Sequence, residues 1–212
     1  MEEKGKTIEE LFHLGFHAEY PEEKIEYYSA VLESDLRDPR LWNEEAVALV
    51  WTNTGIAYCD LSEYKKAVYC FEQALDLDPR NSDIWYNKGI AHSYLGNYRE
   101  AIESYTNTLD IDERYDNAWI NKGMIHDILG EYEEAIRCYE NIHVAMDIDP
   151  KYTLAWNKKG VAYYHLGKYD EAITCFAKVL NADPEYEDAK NNLSNAMAKL
   201  KDIGEQGAIS DK

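Results

Sequence analysis

The chain has 212 residues, 45% apolar and 13% aromatic, with 41 acidic against 22 basic residues and a net charge of −19. That balance supplies no basic stripe for a nucleic acid, disfavours an anionic membrane surface, and would steer a basic partner. No apolar run reaches the ~18 residues of a membrane-crossing helix, and the acidic, polar start Met-Glu-Glu-Lys-Gly-Lys is not expected to be a signal peptide.

Taken in order, residues 1–47 read as a degenerate first repeat or cap. Thr7 to about Ala18 predicts a helix, with Thr7 and Glu10 spaced as a capping box. Pro21 opens a second helix through Ile25, Tyr28, Val31 and Leu32. The spacing Tyr20, Ile25, Tyr28 echoes Tyr169, Ile173, Phe176 with one extra residue in the turn. This segment holds thirteen acids and five bases, the polar outer face expected of a terminal repeat. Pro39 interrupts the chain, and Leu41 to Tyr58 then reads as one long helix.

From Trp51 onward the sequence repeats itself. Trp51-Thr52-Asn53-Thr54-Gly55 returns 34 residues later as Trp85-Tyr86-Asn87-Lys88-Gly89. It returns 34 after that as Trp119-Ile120-Asn121-Lys122-Gly123, and 37 further on as Trp156-Asn157-Lys158-Lys159-Gly160. Leu95-Gly96, Leu129-Gly130 and Leu166-Gly167 close the first helix of their units. Each second helix carries a ring (Tyr64, Tyr98, Tyr132, Tyr169), then alanine three residues on (Ala67, Ala101, Ala135, Ala172), then a second ring (Phe71, Tyr105, Tyr139, Phe176). Pro79, Pro150 and Pro184 end three of the four units; Glu113 stands at that place in the other. The third unit holds three extra residues within 141–144, expected to lengthen or bulge its second helix. A glycine inside a helix costs about 1 kcal/mol against alanine. Its return at one register implies close approach of the partner helix. Helices this short are marginal alone, so neighbouring units must bury each other's apolar faces.

After Pro184, Ala189, Leu193, Met197 and Leu200 mark an amphipathic capping helix over 187–202, and 203–212 reads as a disordered tail. Cys70, Cys138 and Cys175 share one packing register, a residue before the second ring. Stacked repeats lie about 10 Å apart, too far for a disulfide. Reduced thiols and a cytoplasmic location are therefore expected.

These landmarks resemble the tetratricopeptide repeat family over roughly residues 48–186, as four units (48–81, 82–115, 116–152, 153–186). The resemblance implies an all-α fold, a right-handed superhelical solenoid of antiparallel helix pairs, whose first helices line a concave groove. It also implies that asparagines on that face hold a peptide backbone, an amide being both donor and acceptor. Asn53, Asn87 and Asn121 each stand two residues before the helix glycine. In the fourth unit Lys158 takes that place and Asn157 stands beside it. Helical periodicity puts Tyr86, Ile90, Tyr94, Ile120, Met124, Val161 and Tyr164 on the same face, with Thr52 and Ile56 where a carboxylate-clamping member of the family needs Lys and Asn. That clamp is therefore not expected.

No catalytic, cofactor or metal motif emerges. His13 and His17 share a helix face without a third ligand, and His165 and Cys175 lack any motif around them. The expected function is a non-catalytic scaffold that binds a peptide or helical segment of another protein, with the acidic surface favouring a basic one. The other reading is a self-associating assembly protein whose groove or N-terminal helices pack on another copy.

Overall fold

The computed structural model describes residues 6–34, 43–142 and 150–210. Eleven helices and no strand occur among the described residues, and the chain divides into two compact units, Met1–Glu113 and Arg114–Lys212. The first holds α1 (Ile8–His17), α2 (Pro21–Glu33), α3 (Glu44–Asp60), α4 (Tyr64–Leu77), α5 (Ser82–Tyr94) and α6 (Tyr98–Ile111). The second holds α7 (Asp116–Ile128), α8 (Tyr132–Glu140), α9 (Pro150–His165), α10 (Tyr169–Ala182) and α11 (Glu187–Ser210).

Three-residue turns join the members of each pair, so paired helices run antiparallel. In α5 the turn closes when the Asn97 amide donates to the His92 carbonyl at 3.0 Å around Gly96, whose φ is +75°. That left-handed backbone favours glycine. The first full unit has Ser62 there instead, at φ 60°. Helix starts are capped from the sequence. Thr7 Oγ1 accepts from the Glu10 amide at 3.2 Å while Glu10 Oε2 accepts from the Thr7 amide at 2.8 Å, the expected box. Asn43 and Asn81 cap α3 and α5 through their side-chain oxygens.

Each pair is built on a ring lying over a glycine. A Cβ added at Gly89 would come within 2.6 Å of the Tyr105 ring, and one at Gly55 within 2.6 Å of Phe71. Gly123 with Tyr139 and Gly160 with Phe176 repeat this in the second unit. Alanine opposite completes each contact: Ala67, Ala101, Ala135 and Ala172 are fully buried. Lysine clasps successive pairs. Lys88 Nζ lies 5.3 Å from the Trp85 ring and 3.3 Å from Glu72; Lys159 Nζ lies 5.0 Å from the Trp156 ring and 3.0 Å from Glu140.

Several sequence expectations shift. Gly15 meets Tyr28 as the other glycines meet their rings, so α1 and α2 form a pair of the same design. The turn between them has three residues like the others, and Pro21, not Tyr20, takes the register of Tyr169. The extra turn residue does not exist; α1 instead ends two residues after its glycine. The helix expected over Leu41–Tyr58 begins at Glu44, because Asn43 caps it, and runs on to Asp60; Leu41 and Trp42 lie outside the described residues. Helix α8 stops at Glu140, so neither a longer nor a bulged helix continues through 141–142, and 143–149 lie outside the described residues. Pro150 opens α9 instead of ending the unit before it, at the first-turn place where a missing N–H costs nothing. The final helix does not stop at 202. It runs to Ser210, since Gly204 meets no backbone requirement that breaks it, and the tail expected from 203 is helical that far.

The four cysteines are free. Burial pushes the Cys70 thiol up to about 12 and those of Cys138 and Cys175 up to about 11, so they pack as neutral side chains. His92 and His126 occupy the register of Tyr58 and Tyr163 and are buried. His126 Nδ1 lies 2.7 Å from Glu131, whereas His92 Nδ1 is buried without a partner. Burial, then Lys88, holds the His92 pKa below the ordinary histidine value, against an opposing pull from Glu100, Glu72 and Glu103. The unfolded chain takes up this proton near pH 6.5 and the folded one resists it, so folding stability falls as pH drops below that value. His92→Tyr is expected to flatten the fall in Tm between about pH 7 and pH 5 relative to wild type. An unchanged slope would remove His92 as its source.

Candidate functional site

In the first unit, Leu49, Thr52 and Ile56 fall at i, i+3 and i+7 on α3, one helix face. Asn81 and the start of α5 stand beside them. Together they line a cleft of about 540 Å³ with Ile84, Asn87 and three acids, Glu45, Asp78 and Asp83. No lysine or arginine lines it among the described residues. Leu49 is 48% exposed and Ile56 37%, so the cleft has an apolar floor open to solvent under an acidic and amide rim.

The expected site residues of this unit divide. Asn87 lines the cleft, its Nδ2 donating to the Asp83 carbonyl at 2.8 Å. Asn53 is half-buried, and its Nδ2 donates to the Tyr28 hydroxyl at 3.4 Å, tying α3 to α2. Tyr86 is half-buried, 5.9 Å from the Tyr105 ring, and Ile90 is half-buried. Tyr94 is 69% exposed and stacks on Tyr64 at 4.8 Å with rings 5° from parallel. Sequence reasoning missed Leu49, Glu45, Asp78 and Asn81. The signal for Leu49 was its i−7 spacing from Ile56.

In the second unit most of the expected face is engaged within the unit. Ile120 is buried in a cluster with Ala135, Tyr139 and Ala155, and Met124 packs against it. Asn157 is 5% exposed, and its Oδ1 accepts from Asn192 Nδ2 of α11 at 3.3 Å. Val161 and Tyr164 pack into the cluster of Phe176 and Ala196, where Leu193 of α11 also sits. Ile120 and Asn157 are therefore packing residues here, because the following first helix covers the register they occupy. Asn121 and Lys158 are half-buried. Asp127 accepts from the Tyr139 hydroxyl at 2.7 Å. Burial raises its pKa above the usual carboxylate range, against a lowering pull from that bond and from Lys158, His165 and His126.

No group of three potential metal ligands occurs among the described residues. His13 and His17 stack at 6.5 Å, and His165 stacks on Tyr132 at 4.6 Å while Cys175 is buried in the core. No helix is long and apolar enough to cross a membrane among the described residues.

Repeated pairs of this length, a ring over a glycine in each, and a lysine-clasped tryptophan between pairs define a helical-repeat protein. Family comparison agrees. A TPR repeat model matches residues 55–96; tetratricopeptide repeat models match 82–115, 153–186 and 116–142. The chain belongs to the tetratricopeptide repeat family. No curated protein is significantly similar to it in sequence. Among solved structures it is similar to MamA, at 23% identity over 85% of this chain and 94% of that one, with a TM-score of 0.72. It is also similar to YrrB, described as a TPR protein with an unusual peptide-binding site, at 22% identity over 87% and 88%, TM-score 0.69. A tetratricopeptide repeat protein of Parabacteroides merdae matches at 18% identity over 92% and 78%, TM-score 0.73. At these identities the likeness establishes the fold, and fold alone does not name a partner.

Proposed function

We propose that the protein is a non-catalytic interaction scaffold whose cleft between α3 and α5 binds an apolar, basic peptide segment of another protein. One observation carries the reading: Leu49 and Ile56 are exposed on the cleft floor while, among the described residues, every charged side chain lining it is acidic. An exposed apolar surface ringed by polar groups marks an interaction site. Leu49 and Ile56 would supply affinity, Asn87 a backbone contact, and Glu45 the selection of a basic partner. The net charge of −19 would speed the approach of such a segment. The repeat family is one of protein-binding scaffolds, and the cysteine packing fits a reducing, cytoplasmic setting.

Selection from a library of displayed peptides tests the reading. Enriched sequences should place Lys or Arg beside an aliphatic or aromatic anchor. Leu49→Ser with Ile56→Ser should weaken their binding about tenfold or more at unchanged helicity. Enrichment of acidic sequences, or binding that ignores both substitutions, would overturn it.

A further inference from the structure

The first unit has a second cleft, and it opens where a structural device is missing. In two of the later repeats a lysine three residues after the tryptophan (Lys88, Lys159) lies over the tryptophan ring and pairs with a glutamate of the preceding second helix (Glu72, Glu140). In the first full repeat both partners are replaced: Thr54 stands at the lysine register and Ser29 at the glutamate register. Thr54 Oγ1 turns back to the Val50 carbonyl at 2.8 Å. The two short side chains leave a cleft of about 510 Å³ lined by Leu32, Trp51, Tyr58 and Tyr69, with Lys65 and Lys66 beside it. Trp51 meets Tyr69 edge to face at 5.9 Å, forming an aromatic corner. Tyr69 is 54% exposed.

This cleft is separate from the one between α3 and α5. Its α3 residues, Trp51, Thr54 and Tyr58, are offset by two positions from Leu49, Thr52 and Ile56, about 200° around the helix. Its charge is also the reverse. Second helices elsewhere carry Glu22-Glu23, Arg99-Glu100, Glu133-Glu134 or Asp170-Glu171 where α4 carries Lys65-Lys66. Lys66 pairs with Glu63 and lies 5.1 Å from the Tyr58 ring. Lys65 has no acidic partner among the described residues, and Glu33 stands on the α2 side. In a chain of net charge −19 this inversion sits beside the exposed ring of Tyr69.

We infer that this cleft docks an acidic segment of a partner protein, an aromatic or large aliphatic side chain entering the Trp51–Tyr69 corner while flanking carboxylates pair with Lys65 and Lys66. The anchor takes the place of the missing lysine over Trp51. The carboxylates select an acidic sequence where the α3–α5 cleft selects a basic one, so the inference stands independently of the proposed function.

The test is fluorescence anisotropy with a labelled peptide in which one phenylalanine is flanked by aspartates and glutamates, and with its counterpart flanked by lysines. Wild type should bind the acidic peptide, and an excess of the unlabelled basic one, which belongs to the α3–α5 cleft, should not displace it. Ser29→Glu with Thr54→Lys rebuilds the clasp already present at Glu72 and Lys88. It should close the cleft and weaken binding at least about tenfold, with helicity and Tm unchanged. Lys65→Glu with Lys66→Glu should do the same by reversing the charge, and Leu49→Ser with Ile56→Ser should leave this binding untouched. Equal affinity in the rebuilt variant, displacement of the acidic peptide by the basic one, or no binding of the acidic peptide by wild type overturns the inference. Sedimentation supplies the remaining outcome: a concentration-dependent mass that the rebuilt variant abolishes and the peptide cannot compete away would make a second copy the occupant, and the inference fails.

Discussion

Phe71→Ala is expected to lower the unfolding free energy by about 3–5 kcal/mol, as for other large rings removed from cores. Phe71 is fully buried in the cluster of Ala67, Ala74, Leu75, Ile84 and Ala91. Its ring also fills the space that Gly55 leaves open. Removing it takes contacts from α3, α4 and α5 together. Repeat arrays are held by each unit and its interface with the next, so few neighbours remain to close the void. Urea denaturation followed by circular dichroism reads the loss at the transition that includes α3–α5. A change below about 1 kcal/mol would mean that the ring is not the centre of the pair.

The second large effect runs against helix propensity. Alanine is intrinsically better than glycine in a helix by about 1 kcal/mol. Gly89→Ala is nevertheless expected to destabilise by about 1–3 kcal/mol, the usual range for an overpacked core. The added Cβ would sit 2.6 Å from Cε1 of Tyr105, a ring 1% exposed that cannot swing away. Tyr105→Leu in the same chain should recover much of that loss, because contacting residues couple. Gly204→Ala supplies the contrast. Nothing lies within 4 Å of a Cβ there, so the substitution should be neutral or stabilising. If Gly89→Ala instead stabilises, the repeated glycine is not explained by close approach.

Much of this was legible in the sequence because it repeats. The recurrence of Gly89 with Tyr105 at a fixed spacing marks a contact that composition alone would not. The Thr7–Glu10 box was readable because capping is local. Gly15 escaped notice for a physical reason. It lies thirteen residues before its ring where the others lie sixteen before theirs, since α1 ends a turn early. The candidate site was legible only in part. Periodicity placed Asn87, Thr52 and Ile56 on one face, and the cleft uses them. Periodicity cannot say that α11 covers Asn157 or that Ile120 packs against Ala155, because those depend on which helix follows. Leu49 was missed for a related reason: its i−7 spacing from Ile56 marks the face, but its counterparts in the next two units, Asp83 and Asn117, are polar, so the recurrence did not single it out. The second cleft required reading what two registers lack, Ser29 and Thr54, and that becomes informative only once Lys88 and Lys159 are seen clasping their tryptophans.

The central claim is that the α3–α5 cleft takes the partner's segment. Methyl NMR of the full chain, labelled at isoleucine and leucine and titrated with a basic peptide from the display selection, tests it most directly. The account predicts the largest shifts at Leu49, Ile56 and Ile84, with Leu32 on the opposite face of the unit unmoved. Shifts confined to Leu32 or to the second unit, with Leu49 and Ile56 silent, would contradict it.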